Sequence, residues 1–218
     1  MKEIMIPAVI AKTQEELDDI LFKIKDSAQL LQLDIMDGKF VPNHSLDFDF
    51  RLPAGKYKFE AHLMVQEPEK WMEENWEKVD VIIAHFEAVG SPTEIIESVK
   101  SRGKKIAFAL NPETEVDQIR DYLNDIDQVL IMTVHPGFYG SKFLPETMGK
   151  IGMLRKLRPE LDIEVDGGIK PDTIAQAYNA GANMFVSGSY LIRSDDIKGR
   201  IDILKSKINT LPNEEDRE

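Results

Sequence analysis

The chain has no cysteine among its 218 residues. That excludes disulfide staples and thiolate metal centres, and leaves histidines and carboxylates as the strong ligands for any metal. Positive charge is also scarce: 27 Lys and Arg stand against 39 Asp and Glu, for a formal net charge of -12 and a pI near 4.9. Such a balance argues against nucleic acid or an anionic membrane as partner, because both need basic residues to neutralise phosphates. A phosphorylated small molecule would have to be held by a local site. No apolar run approaches the roughly 18 residues of a membrane span. The opening MKEIMIPAVIAKTQEE has neither the apolar length nor the small-residue cleavage pattern of a secretory leader. The expected location is the cytoplasm, and the composition leaves a homo-oligomer open.

What the sequence does have is alternation. Short apolar runs occur at Ile4 to Ile10, Leu30 to Met36, Tyr57 to Val65, Asp80 to Phe86, Lys105 to Asn111, Gln128 to Val134, Ile163 to Gly168 and Met184 to Leu191. Between them lie segments with helical spacing, including 13–28, 91–102, 114–125 and 145–159, several opening on Ser, Thr or Pro start signals. The repeat of roughly 20 to 35 residues is the length of one strand-helix unit of a parallel sheet. Eight such units point to an α/β fold, a (β/α)8 TIM barrel over residues 1–211, with an open doubly wound sheet as the alternative. A length of 218 residues suits a single domain. The charged tail, 212–218, has nothing to bury and is expected to fray.

Strand periodicity sorts the polar residues. Residues two apart point the same way, so Gln32 and Asp34 share a face, as do Glu60, His62 and Met64, and Glu164 and Asp166. In a barrel, polar side chains at the carboxyl ends of strands mark the mouth where sites form, and Asp34, His62 and Asp166 each occupy such an end. A single Asp there is usually a turn former or helix cap. Three converging from separate strands are not, because unpaired buried carboxylates are costly without a metal or proton to share. Asp37 precedes Gly38 and reads as a loop residue. His44 falls in the long Gly38 to Pro53 loop with no clear partner, His85 is equally readable as a core histidine, and His135 as a turn residue. Polar glycine loops follow strands six, seven and eight in HPGFYGSKF, DGGIKPDT and SGSYL. Successive backbone N–H groups in such loops can cradle a phosphate without Lys or Arg.

The stretches LDIMDGKFVPN, AHLMV, ALNP, MTVHPGFYGSKF and EVDGGIKPDTIAQAYNAGANMFVSGS, in that order from Pro7 to about Ser194, resemble the ribulose-phosphate 3-epimerase family. The resemblance implies a (β/α)8 barrel that interconverts D-ribulose 5-phosphate and D-xylulose 5-phosphate, with a sister enzyme acting on D-allulose 6-phosphate. It makes Asp34 and Asp166 the acid/base carboxylates on opposite faces of a phosphorylated ketose. They would ligate a divalent metal ion (zinc, manganese, iron or magnesium) together with His62 and the residue at position 32. Gly137, Gly140, Ser141, Gly167, Gly168, Gly188 and Ser189 are the implied phosphate loops, and Met36, Met64 and Met132 the implied apolar lining. The Gly38 to Pro53 loop is long enough to shield a reactive intermediate.

Three departures stand out. The family writes His two residues before the first catalytic Asp, and here that residue is Gln32, a weaker donor to zinc than imidazole, which weakens metal binding or shifts it toward magnesium or manganese. A family Ser near the substrate is Ala8, and Tyr139 brings a phenol to the phosphate loop. These departures keep two other readings open: a 3-epimerase of a different ketose phosphate, and a catalytically weak sugar-phosphate-binding homologue.

Overall fold

The computed structural model describes residues 2–138 and 140–209. The strands are β1 (Ile4–Val9), β2 (Leu30–Asp37), β3 (His44–Ser45), β4 (Lys58–Met64), β5 (Val81–His85), β6 (Lys105–Leu110), β7 (Gln128–Met132), β8 (Asp162–Asp166) and β9 (Met184–Ser187). All but β3 pair in parallel, and β1 bonds to both β9 and β2, so eight strands close into a barrel. The expected TIM barrel is therefore present. β3 is a two-residue antiparallel addition to the end of β2, placing Ser45 opposite Met36 and His44 opposite Asp37. Helices α1 (Gln14–Ile24), α2 (Pro68–Asn75), α3 (Pro92–Ser101), α4 (Met148–Leu157) and α5 (Ile174–Ala180) return the chain between strands, and α6 (Ser189–Ile192) and α7 (Ile197–Asn209) follow the last strand. Among the described residues no helix is long and apolar enough to cross a membrane. The charged tail lies outside them.

Local chemistry explains these bounds. Thr13 caps α1 by accepting from the Glu16 N–H, and Lys25, at φ 46, ends the helix at the point where the chain leaves αR. Pro92 opens α3 at a position where no amide donor is needed. The segment 114–125 departs from expectation, forming 3₁₀ turns over Val116–Tyr122 rather than an α-helix. Its apolar residues Val116, Ile119 and Tyr122 recur every third position, which matches the threefold period of 3₁₀ better than 3.6. The last strand is also shorter than its apolar run, because Gly188 breaks it and Ser189–Ile192 turns helical.

Two layers of side chains follow from the period-two alternation. Outward residues such as Leu31, Leu33, Ile35, Ile82, Phe108, Ile131, Val165 and Phe185 are buried against the helices in one large apolar core. Inward residues fill the barrel, and there the composition divides. Ile83, Ala107, Ala109 and Leu130 make one apolar cluster, while Ile6, Ala8, Met184 and Val186 make another. The inward positions of β2, β4 and β8 are instead Gln32, Asp34, Glu60, His62, Glu164 and Asp166, and all but Asp166 are essentially buried.

Candidate active site

Strand register sets the site. Asp34 lies opposite His62 across the β2–β4 ladder, and Gln32 opposite Glu60 one pleat below. Asp166 ends β8 beside Met132. The three strand-end residues converge: His62 Nδ1 is 3.3 Å from Asp34 Oδ1 and 3.3 Å from Asp166 Oδ2. Gln32 reaches up between them, its Nε2 donating to Asp34 Oδ1 at 2.9 Å and to Asp166 Oδ2 at 2.8 Å, and standing 3.3 Å from His62 Nδ1. Burial pushes the Asp34 carboxyl above its usual range, reinforced by the charge of Asp166 and opposed by the His62 and Gln32 bonds. For His62, burial opposes protonation, but the hydrogen bonds and charges of Asp166 and Asp34 outweigh it and raise the imidazole to about 9.

Behind His62 runs a second row that the sequence reading left open or missed. His62 Nε2 meets His85 Nε2 at 2.9 Å, and His85 Nδ1 lies 3.3 Å from Glu87. Burial pulls His85 down to about 4. Burial alone would raise Glu87, yet hydrogen bonds from His85, Thr114 and the Asn111 N–H hold it at about 2. These shifts favour one direction along the row, with the His62 Nε2–H donated to His85 and the His85 Nδ1–H donated to Glu87. Glu87 was missed, and the signal for it was its place just past a strand that ends on His.

The carboxylates open on a cavity of about 560 Å³ at the carboxyl ends of the strands. Asp34, Asp166, Met36, Met64 and Met132 line its base, whereas Gln32 and His62 lie beneath and do not reach the wall. Gly137, Gly140 and Ser141 after β7, Gly167 and Gly168 after β8, and Gly188 and Ser189 after β9 line the rim. At Gly167 (φ +118) an added Cβ would lie 2.4 Å from a Val134 methyl, so only glycine fits there. Lys142 and Lys170 also line the cavity, beside the glycine loops. Tyr139 lies outside the described residues.

The loop after β2 packs beside residues that line the cavity. Phe40 and Val41 pack on Met36 and Met64, and Asn43 Nδ2 donates to the Gly137 carbonyl at 2.8 Å. Asp37, expected as a loop residue, ends β2 and accepts from the Lys39, Phe40 and Gln66 N–H groups, so its carboxylate anchors the loop's start. His44 does have a partner, Asp47 at 3.1 Å on the surface, and His135 pairs with Glu113 at 3.2 Å. Neither reaches the carboxylates.

Asp34, His62 and Asp166 each offer a ligand atom, all within 4.8 Å of one another, and form a group that could hold a metal ion. The Gln32 nitrogen touches a ligand-capable atom of each of these residues. An amide NH₂ has no lone pair for a cation, and an ion at the usual ligand distances of roughly 2.0–2.2 Å would crowd it. With Gln32 in this rotamer the four residues do not fit a cation, and its ligation would require the amide to turn over.

A family model described as the ribulose-phosphate 3 epimerase family matches residues 4–192. A protein of Eremothecium gossypii named ribulose-phosphate 3-epimerase is 36% identical over 95% of this chain and 94% of its own length. One of the same name from Methanocaldococcus jannaschii is 40% identical over 79% of this chain and 76% of its own. Among solved structures, a 3-keto-L-gulonate-6-phosphate decarboxylase from Vibrio cholerae superposes with a TM-score of 0.70 at 10% identity, covering 98% of this chain and all of that one (100%). A 3-hexulose-6-phosphate synthase gives 0.65 at 13% identity, over 94% and 99% of the two chains. At those identities the two structures speak for the barrel alone. With the family model spanning nearly every strand and the curated relatives aligned over most of their length, the chain belongs to the ribulose-phosphate 3-epimerase family.

Proposed function

We propose that this protein is a sugar-phosphate 3-epimerase that interconverts D-ribulose 5-phosphate and D-xylulose 5-phosphate. The observation that carries the reading is the pair of carboxyls from opposite sides of the barrel, Asp34 on β2 and Asp166 on β8, lining one cavity above a shared histidine. Inverting a carbon beside a ketone removes its proton on one face and returns one on the other, through an enediolate. Two carboxyls, one charged and one protonated, meet that need. Asp34 Oδ1 and Asp166 Oδ2 are engaged below with Gln32 and His62, so the other oxygen of each is the one that exchanges a proton with substrate. Burial biases Asp34 toward holding the resting proton, and the roles reverse in the return direction.

The two carboxyls raise His62 to about 9, and a protonated ring below both of them would favour the anionic intermediate. His85 and Glu87 keep its ring oriented. The glycine loops bearing Gly137, Gly140, Ser141, Gly167, Gly168, Gly188 and Ser189, helped by Lys142 and Lys170, are assigned to the phosphate. The Phe40–Asn43 segment is assigned to excluding water from the enediolate. A divalent ion at Asp34, His62 and Asp166 would act as Lewis acid, and no step here is drawn through it, given the Gln32 amide.

One observation favours a second reading, a 3-epimerase of a different ketose phosphate: Ala8 lines the cavity and offers no hydroxyl where the family has a Ser. A panel of D-ribulose 5-phosphate and D-allulose 6-phosphate decides. The primary reading expects kcat/KM at least about tenfold higher for the pentulose, a difference of some 1.4 kcal/mol. The reverse order favours the second, and turnover of neither by folded protein overturns both.

A further inference from the structure

We infer that Gln32 is a positioning residue that takes the place of a cation, so that the two-carboxylate centre works without a metal. This rests on the epimerase reading of the same site. Three geometric facts carry it. The amide nitrogen of Gln32 contacts a ligand-capable atom of each residue in the candidate metal group, Asp34 Oδ1 at 2.9 Å, Asp166 Oδ2 at 2.8 Å and His62 Nδ1 at 3.3 Å. Its two N–H groups are matched by two carboxylate acceptors, one on each side of the barrel. The side chain is completely buried, and its Oε1 has no partner among the described residues.

The orientation follows from the contacts. Turned over, the amide would set a third oxygen against two carboxylate oxygens at 2.8–2.9 Å with no proton from the amide between them, a repulsive arrangement. As placed, it leaves one buried oxygen unpaired and in exchange bridges Asp34 and Asp166. A bridging ion does two structural jobs: it fixes the separation of the carboxylates and it occupies the space below the substrate. A rigid amide anchored on β2 does both, with a ligand that cannot dissociate. It supplies no Lewis acidity, so this centre relies on the bridge to hold each carboxyl at the face where its proton is needed.

The test uses the full-length protein, chelated and then dialysed against metal-free buffer, with cobalt(II) as the titrated probe. The wild type is expected to bind no cobalt at equimolar concentration, with no visible d–d absorption, and to epimerise D-ribulose 5-phosphate at a rate changed less than about twofold by chelation. Gln32→His is expected to bind one cobalt and to become dependent on added ion. Gln32→Leu is expected to lose on the order of 10- to 100-fold in kcat, with KM within about twofold and the pH optimum displaced, because the carboxyls lose their common donor. A structural defect alone would lower the folded fraction and leave the optimum in place. Tight cobalt binding by the wild type, or activity lost on chelation and restored by one ion, overturns the inference. Absence of turnover from the wild type in either condition overturns the epimerase reading instead, and the cobalt titration still decides the role of the amide.

Discussion

Two acidic layers lie one pleat apart inside this barrel, and they are built from the same residue types. The upper holds Asp34 and Asp166 with His62 and Gln32, and opens on the cavity. The lower holds Glu60 and Glu164 with Gln128, whose amide donates to Glu164 at 2.9 Å, and all three are buried. Compensation separates them. In the upper layer a histidine raised to about 9 and a two-donor amide oppose the effect of burial on Asp34. In the lower one the single amide donates to Glu164 alone, both Glu60 oxygens lack a donor among the described residues, and burial raises Glu60 to about 7 and Glu164 well above its usual range. Burial therefore favours the protonated form of the lower pair, which lies beneath the upper layer and does not line the cavity. A buried acid becomes chemistry when it has both a route to a ligand and a partner that keeps it ionisable.

The largest effect should come from breaking the upper layer. Asp34→Asn and Asp166→Asn each remove a proton carrier while keeping shape, and kcat should fall about 10³-fold or more with sugar-phosphate binding retained. Steady-state kinetics alongside an equilibrium binding assay check this, and a variant with kcat within tenfold of wild type would sink that residue's role.

The lower layer should respond through stability. A carboxyl whose folded pKa is raised binds its proton more tightly in the native state. Its contribution is fully present below the unfolded value of 4.5 and is lost as pH rises through about 7. Glu60→Gln keeps a donor beside Glu164 and removes that titration. Denaturant melts should show it gaining on wild type between pH 5 and pH 8, by on the order of 2 kcal/mol. An unchanged difference across that range would mean the pair is not protonated in the fold.

A smaller effect belongs to the row joining the upper layer to the surface. His85→Leu deprives the His62 Nε2–H of its acceptor, and kcat should drop on the order of tenfold with KM little changed. A pH–rate profile with its alkaline limb moved to lower pH would confirm that His85 acts through His62. Equal loss at every pH would show general disorder instead.

The sequence showed much of this. Eight apolar runs at regular spacing imply the barrel, and period-two alternation alone sets Gln32 with Asp34, Glu60 with His62 and Glu164 with Asp166. Alternation could not distinguish the two acidic layers, because that depends on depth along the strand relative to the mouth, which register between neighbouring strands decides. Nor could it foresee that Gln32 presents its nitrogen, since amide orientation is set by contacts from three strands. The 3₁₀ turns of Val116–Tyr122 were hidden by a pattern that both helix types accommodate over two turns. Glu87 was hidden because its partners, His85 and Thr114, come from segments on either side of a helix and a strand.

The central claim is that two carboxyls act on opposite faces of one carbon. The most direct test is D-ribulose 5-phosphate turned over in deuterated water, with deuterium at C3 followed by NMR in substrate and product at early times. Two carriers predict deuterium in the D-xylulose 5-phosphate formed while unreacted D-ribulose 5-phosphate keeps its proton, since the second carboxyl supplies the solvent-derived hydron. Deuterium entering both sugars at equal rates from the start would mean a single group serving both faces, and would contradict the account.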